Sequence, residues 1–131
     1  MNETAGIWRV LVAEDDDLFA ELVDTFLRDA GFAVVTTKDG VAALHAADEG
    51  RFDVLLTDLR MPRLDGAGLI RRIRAMSPQL PVVVMSGNAP EDWRETLQRS
   101  GEGPLVLVTK PARMQDIVRT LNGVLGANSE G

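Results

Sequence analysis

Cysteine is absent from this 131-residue chain, and histidine occurs once, at His45. Without thiols there is no disulfide, no thiolate zinc site and no cysteine nucleophile. A single imidazole cannot build a multi-histidine metal centre. Long apolar runs are missing too, and none approaches the roughly 20 residues that cross a bilayer. The opening MNETAGIW has neither the basic region nor the apolar core of a signal peptide. Asn2-Glu3-Thr4 fits a glycosylation sequon, which without a secretory signal is read as coincidence. Basic charge is the scarcer sign: 14 Lys and Arg stand against 20 Asp and Glu, a formal net charge of −6. That balance repels phosphate backbones and anionic lipid, so neither direct nucleic-acid binding nor membrane association is expected. What remains is ordinary for a globular chain, with 45% hydrophobic and 26% charged residues. The expectation is one soluble, cytoplasmic domain.

Short β-rich apolar runs alternate with longer segments of helical period. Trp8 to Ala13 is the first β run and ends in four acids, Glu14 to Asp17. Leu18, Phe19, Leu22, Val23, Phe26 and Leu27 then recur at spacings of three and four, predicting one helix face, and Gly31 stops it. Phe32–Thr37, Asp53–Thr57, Pro81–Met85 and Leu105–Thr109 read as further strands. Helices are predicted over Gly40–Glu49, from the Gly66 region to Ser77-Pro78, from Pro90 to about Ser100, and through Met114 to Leu125. The domain is placed at residues 7–126, with residues 127–131 as a frayed tail. Five strands alternating with five helices predict a three-layer α/β sandwich around a parallel sheet, flavodoxin-like, with strand order 2-1-3-4-5. The apolar β runs suit strands buried on both faces.

In such a sheet, ligands bind at the carboxyl ends of the strands, near the point where strand order reverses. Glu14 and Asp15 follow strand one, Asp58 strand three, Ser86 strand four and Lys110 strand five. The fold therefore predicts that residues scattered over most of the chain meet on one rim. Three crowded carboxylates repel one another, and Mg²⁺, which takes a few carboxylates with waters and phosphate oxygens, is the natural partner. Lys110 and Ser86 add a cation and a hydroxyl suited to a phosphoryl group. The set points to phosphoryl transfer, with Asp58 as the best candidate nucleophile for an acyl phosphate. Blander readings compete. The Glu14–Asp17 run also suits a solvated helix start, with Asp16 or Asp17 as the cap, and only the joint placement at four strand ends outweighs it. His45 reads as a surface residue. Gly101-Glu102-Gly103 leads into a strand rather than a helix, which rules out a dinucleotide fingerprint.

The motifs VLVAEDDD, DVLLTDLRMPRLDG, PVVVMSG and VTKP, in that order from Trp8 to about Leu125, resemble the receiver domain of two-component response regulators. The resemblance implies that Asp58 takes a phosphoryl group from a phosphohistidine on a histidine kinase or histidine phosphotransfer domain. It implies Mg²⁺, with Mn²⁺ able to substitute, held by Glu14, Asp15, Asp58 and the main-chain carbonyl of Arg60. Ser86 and Lys110 would contact the phosphoryl group, and Lys110-Pro111 would be cis. Arg60 and Asn88 would line the path of attacking water and set the lifetime of the phosphorylated state. A downstream protein would bind the face of helix four, strand five and helix five, and weak homodimerisation joins the expected partners. Three positions depart from the family pattern: Glu14 where Asp is common, Leu107 where Tyr or Phe is usual, and Ala112 where Phe is frequent. Leu107 removes the aromatic swing coupled to the Ser86 position. Such a domain acts in signalling, catalysing only its own phosphorylation and dephosphorylation, either stand-alone or as a receiver cut from a hybrid kinase in a phosphorelay. A magnesium-dependent aspartyl-phosphate phosphatase is the competing reading, although Arg60 stands where such enzymes carry a second acid. A flavodoxin-like cofactor binder fits less well, because the acids after strand one would repel a flavin phosphate.

Overall fold

A computed structural model describes residues 7–130, with side chains described through residue 126. The sequon at Asn2-Glu3-Thr4, the start of the MNETAGIW opening and Gly131 lie outside the described residues. The strands are β1 (Arg9–Ala13), β2 (Ala33–Thr37), β3 (Val54–Asp58), β4 (Val82–Ser86) and β5 (Leu105–Thr109). The helices are α1 (Asp17–Asp29), α2 (Gly40–Glu49), α3 (Gly66–Met76), α4 (Trp93–Gln98) and α5 (Met114–Glu130). All five strands are parallel in the order β2-β1-β3-β4-β5, the expected flavodoxin-like topology.

Alternate residues of each strand point to opposite faces, so the sheet feeds two cores. Val10, Val12, Val54, Leu56, Val83 and Met85 pack with Val23 and Leu27 of α1 and Ile117 and Leu121 of α5. Leu11, Ala13, Leu55, Val82 and Val84 pack on the other side with Ala43 of α2, Leu69, Ile70 and Ile73 of α3, and Leu97 of α4. Burial on both faces holds for the central strands β1, β3 and β4, but not for the edges. Val35 and Thr36 of β2 are exposed, and most of β5 is only partly covered.

Each edge carries an arginine plug. The bonds from Ala33 N–H to Trp8 O and from Glu14 N–H to Thr37 O turn those β2 residues toward β1, so Val34 turns its carbonyl outward, where Arg28 Nη2 donates to it at 2.6 Å. On β5, Pro104 and Lys110 bond to β4; Leu105 turns outward, and Arg94 Nη1 donates to its carbonyl at 3.1 Å.

One helix face and two helix ends differ from expectation. The six apolar residues of α1 form two stripes about 100° apart round the helix. Val23 and Leu27 reach the core with Phe19 partly buried, while Leu18, Leu22 and Phe26 are 74%, 59% and 38% exposed. α4 starts at Trp93 rather than Pro90, because Trp93 N–H closes a turn onto Pro90 O at 3.0 Å and Asp92 gives no side-chain cap. α5 continues to Glu130, through the residues read as a frayed tail. Asp16, Asp39 and Asp65 each cap a helix by accepting a main-chain N–H, from Phe19, Ala42 and Gly68.

Arg74, near the end of α3, is 1% exposed. Its guanidinium donates to Leu80 O at 2.9 and 3.1 Å, Gly103 O at 2.9 Å and Pro104 O at 2.7 Å. It thereby joins α3 to the loops entering β4 and β5, and burial pulls its pKa down.

Candidate functional site

Strand order makes the site. β1 lies beside β3 and β4 beside β5, so the residues ending these strands share one rim. Glu14 extends β1 by one pairing bond, its N–H donating to Thr37 O at 3.0 Å. Its side chain is 1% exposed, and its Oε2 accepts Asp16 N–H at 3.0 Å. Asp58 is the last residue of β3, and its Oδ1 accepts Arg60 N–H at 3.1 Å. Lys110 is anchored by its main chain, whose N–H donates to Ser86 O at 2.9 Å. Its ammonium bridges Glu14 Oε1 at 2.8 Å and Asp58 Oδ2 at 2.9 Å. Those partners lie 96 and 52 residues away in sequence. The following bond, Lys110-Pro111, is cis as expected.

Glycine is required where the loop after Asp58 meets α3. A Cβ on Gly66 would run into the carbonyl oxygen of Asp58 and press on Leu59 Cα at 2.7 Å. Gly66 N–H donates to Leu59 O at 2.9 Å, closing the loop beneath Asp58. The sequence DLRMPRLDG thus folds back on its own first residue.

Glu14, Asp15 and Asp58 each offer a carboxylate oxygen within 4.8 Å of the others, and one ammonium stands among them. Asp15 is exposed and opens the cluster to solvent. Burial raises the pKa of Glu14, an effect only partly offset by the hydrogen bonds from Lys110 and Asp16 N–H. For Lys110, burial pulls downward, but the hydrogen bonds and charges of Glu14 and Asp58 outweigh it, and its pKa is raised. A pocket with more carboxylate than ammonium, built of hard oxygen donors and open at one side, fits a divalent cation such as Mg²⁺.

Ser86 is buried at the end of β4, its Oγ accepting Asn88 N–H at 3.2 Å. Arg60 and Asn88 are exposed. Leu107 is not brought into the pocket: it packs against the second core, as Trp93 also does. His45 is exposed, as read from the sequence. One residue escaped that reading. The ring of Phe19 lies 4.6 Å from Lys110 Nζ, and the helical period that assigned Phe19 to a packing face gave no sign of it.

A parallel α/β sheet with an acidic pocket and a lysine at its carboxyl edge defines the class. A family model for the response regulator receiver domain matches residues 10–122, and this chain belongs to that family. Transcriptional regulatory protein PrrA of Mycobacterium tuberculosis is 35% identical over 127 residues, covering 93% of this chain and 54% of PrrA. The chain thus spans about half the length of the curated relatives it matches. Chemotaxis protein CheY4 of Vibrio cholerae superposes with a TM-score of 0.83 at 27% identity, over 90% of this chain and 98% of that one. The receiver domain of sensor histidine kinase PA1611 from Pseudomonas aeruginosa, solved with a magnesium ion coordinated in its active site cleft, gives 0.79 at 29% identity, over 91% and 98%. Receiver domains are signalling modules of two-component systems that accept a phosphoryl group and work with histidine kinases and phosphotransfer proteins. Among the described residues, no helix is long and apolar enough to cross a membrane.

Proposed function

We propose that Asp58 is the phosphoacceptor of this chain, taking a phosphoryl group from a phosphohistidine on a histidine kinase or histidine phosphotransfer domain. An Asp58 carboxylate oxygen forms the new P–O bond. The P–N bond of the donor breaks, and its electron pair stays with the imidazole. Glu14, Asp15, Asp58 and the Arg60 carbonyl hold Mg²⁺, which when bound supplies charge neutralisation for the phosphoryl oxygens. Lys110 moves from Asp58 Oδ2 to a phosphoryl oxygen, and the Ser86 hydroxyl donates to another. Arg60 covers the product against water, and Asn88, which cannot act as a general base, leaves hydrolysis slow.

The observation that carries this reading is the ammonium of Lys110 shared between Glu14 and Asp58 in a pocket of three carboxylates. The exposed Leu18, Leu22 and Phe26 stripe begins three residues after Asp15 and suits an apolar helix of the phosphodonor protein. Output runs to a downstream protein through α4, β5 and α5. Support comes from the Lys110 N–H bond to Ser86 O, which couples β5 to β4, and from Leu107 of β5 and Trp93 of α4 packing against the same core.

Acetyl phosphate with Mg²⁺ should add one phosphoryl group per chain by intact mass, with Trp93 emission changing in step. Asp58→Asn should take up none and leave the emission still. Uptake by Asp58→Asn at the unsubstituted rate would remove Asp58 from the role.

A further inference from the structure

We infer that Phe19 is a positioning residue for phosphoryl uptake, its ring acting through the ammonium of Lys110; this rests on Asp58 being the phosphoacceptor. Among the described residues, the ammonium meets Glu14 Oε1 at 2.8 Å, Asp58 Oδ2 at 2.9 Å and the centre of the Phe19 ring at 4.6 Å. The first two are hydrogen bonds to anions. The third is attraction between a cation and the negative face of an aromatic ring, which holds within about 6 Å.

The ring is fixed before the lysine reaches it. Phe19 N–H donates to Asp16 Oδ1 at 3.1 Å, the cap that starts α1, and the side chain packs against the core formed with α1 and α5. Lys110 is the movable member, a long flexible stem whose side chain remains 23% exposed.

The physical need arises when the pocket is used. A group joined to Asp58 takes up that carboxylate, and the lysine must exchange Asp58 Oδ2 for a new oxygen. Until a phosphoryl oxygen reaches it, an ammonium held by carboxylates alone would withdraw toward Glu14, its remaining carboxylate. A ring contact spends none of the three N–H donors and does not change when Asp58 reacts. It keeps the cation at the mouth of the pocket with a donor to spare. Leucine or methionine at position 19 would pack as well and supply none of this.

The test separates the ring's electrostatics from its shape. Phenylalanine carrying one, two or three ring fluorines is introduced at position 19 alone, which withdraws charge from the ring face with little change in size. Uptake from acetyl phosphate with Mg²⁺ is followed by intact mass, and Lys110 side-chain protons by NMR. The rate should fall stepwise with each fluorine, reaching roughly three- to tenfold at trifluoro or Phe19→Leu, and Phe19→Tyr should restore it. The upfield ring-current shift of the Lys110 Hε protons should vanish in Phe19→Leu. A flat fluorine series, with the unsubstituted protein reacting normally, overturns the inference and leaves a packing role. An Hε shift that Phe19→Leu does not alter overturns it as well. No uptake by the unsubstituted protein overturns instead the reading of Asp58, and the two failures are told apart.

Discussion

Glu14 carries its charge where water hardly reaches, and burial raises its pKa above the ordinary 4.5. A carboxyl whose folded pKa is raised costs stability when ionised. The cost is absent below the unfolded value, grows as pH rises through the folded one and is then constant. Glu14→Gln should therefore raise the melting temperature of the metal-free protein at neutral pH, an advantage that fades below about pH 4.5. The variant keeps a one-to-one pair of Lys110 with Asp58, so no buried charge is left alone. The same change should blunt stabilisation by Mg²⁺, and unchanged melting in both conditions would contradict this account. Arg60 gives a second prediction at this scale. If its guanidinium pairs with the phosphoryl oxygens and excludes water, Arg60→Ala should shorten the phosphorylated half-life several-fold in a radiolabel decay assay. An equal or longer half-life would end the shielding idea. The pocket residues were legible in the sequence because each follows a strand of a recognisable apolar run. Phe19 was not, because spacing reports which helix face a residue shares and not which distant cation meets it.

Arg74 gave no signal in the sequence, because a basic residue in the last turn of a helix suits the negative helix end and solvent. Its burial follows from tertiary placement, where the chain entering β4 and β5 crosses the end of α3 and presents the carbonyls of Leu80, Gly103 and Pro104, the last already accepting Val82 N–H. Arg74→Ala would strand the carbonyls of Leu80 and Gly103, take one of two partners from that of Pro104 and leave a void, so a loss of about 3 kcal/mol or more is expected in urea unfolding. A loss under about 1 kcal/mol would mean that water replaces the guanidinium at little cost. Element ends show the same division. Capping by Asp16 is local and was anticipated, whereas the late start of α4 depends on Pro90 being used as a turn acceptor. The split of α1 into buried and exposed stripes depends on how the helix is rolled on the sheet, which helical spacing alone does not set.

Glu14 and Asp58 are neighbours only because β1 pairs with β3, and Lys110 joins them from the far edge strand. The cation site therefore exists only in the folded chain, and a metal that binds it must stabilise the whole fold by mass action. The melting temperature should rise with Mg²⁺ up to tens of millimolar, roughly the range of a weak site that keeps several waters, and Asp15→Asn should flatten the response. Indifference of the unsubstituted protein to Mg²⁺ would refute the site. Strand order was legible because few right-handed parallel topologies exist at this length, and the rim followed from it. The sheet's open margins bear on what happens when many copies crowd together. A stray extended peptide seeking to lengthen the sheet meets, at Val34 on one side and Leu105 on the other, an acceptor already taken and a charged guanidinium in the way. Arg28 and Arg94 thus act as guards against templated β growth, and removing both would expose the chain to fibrous self-association.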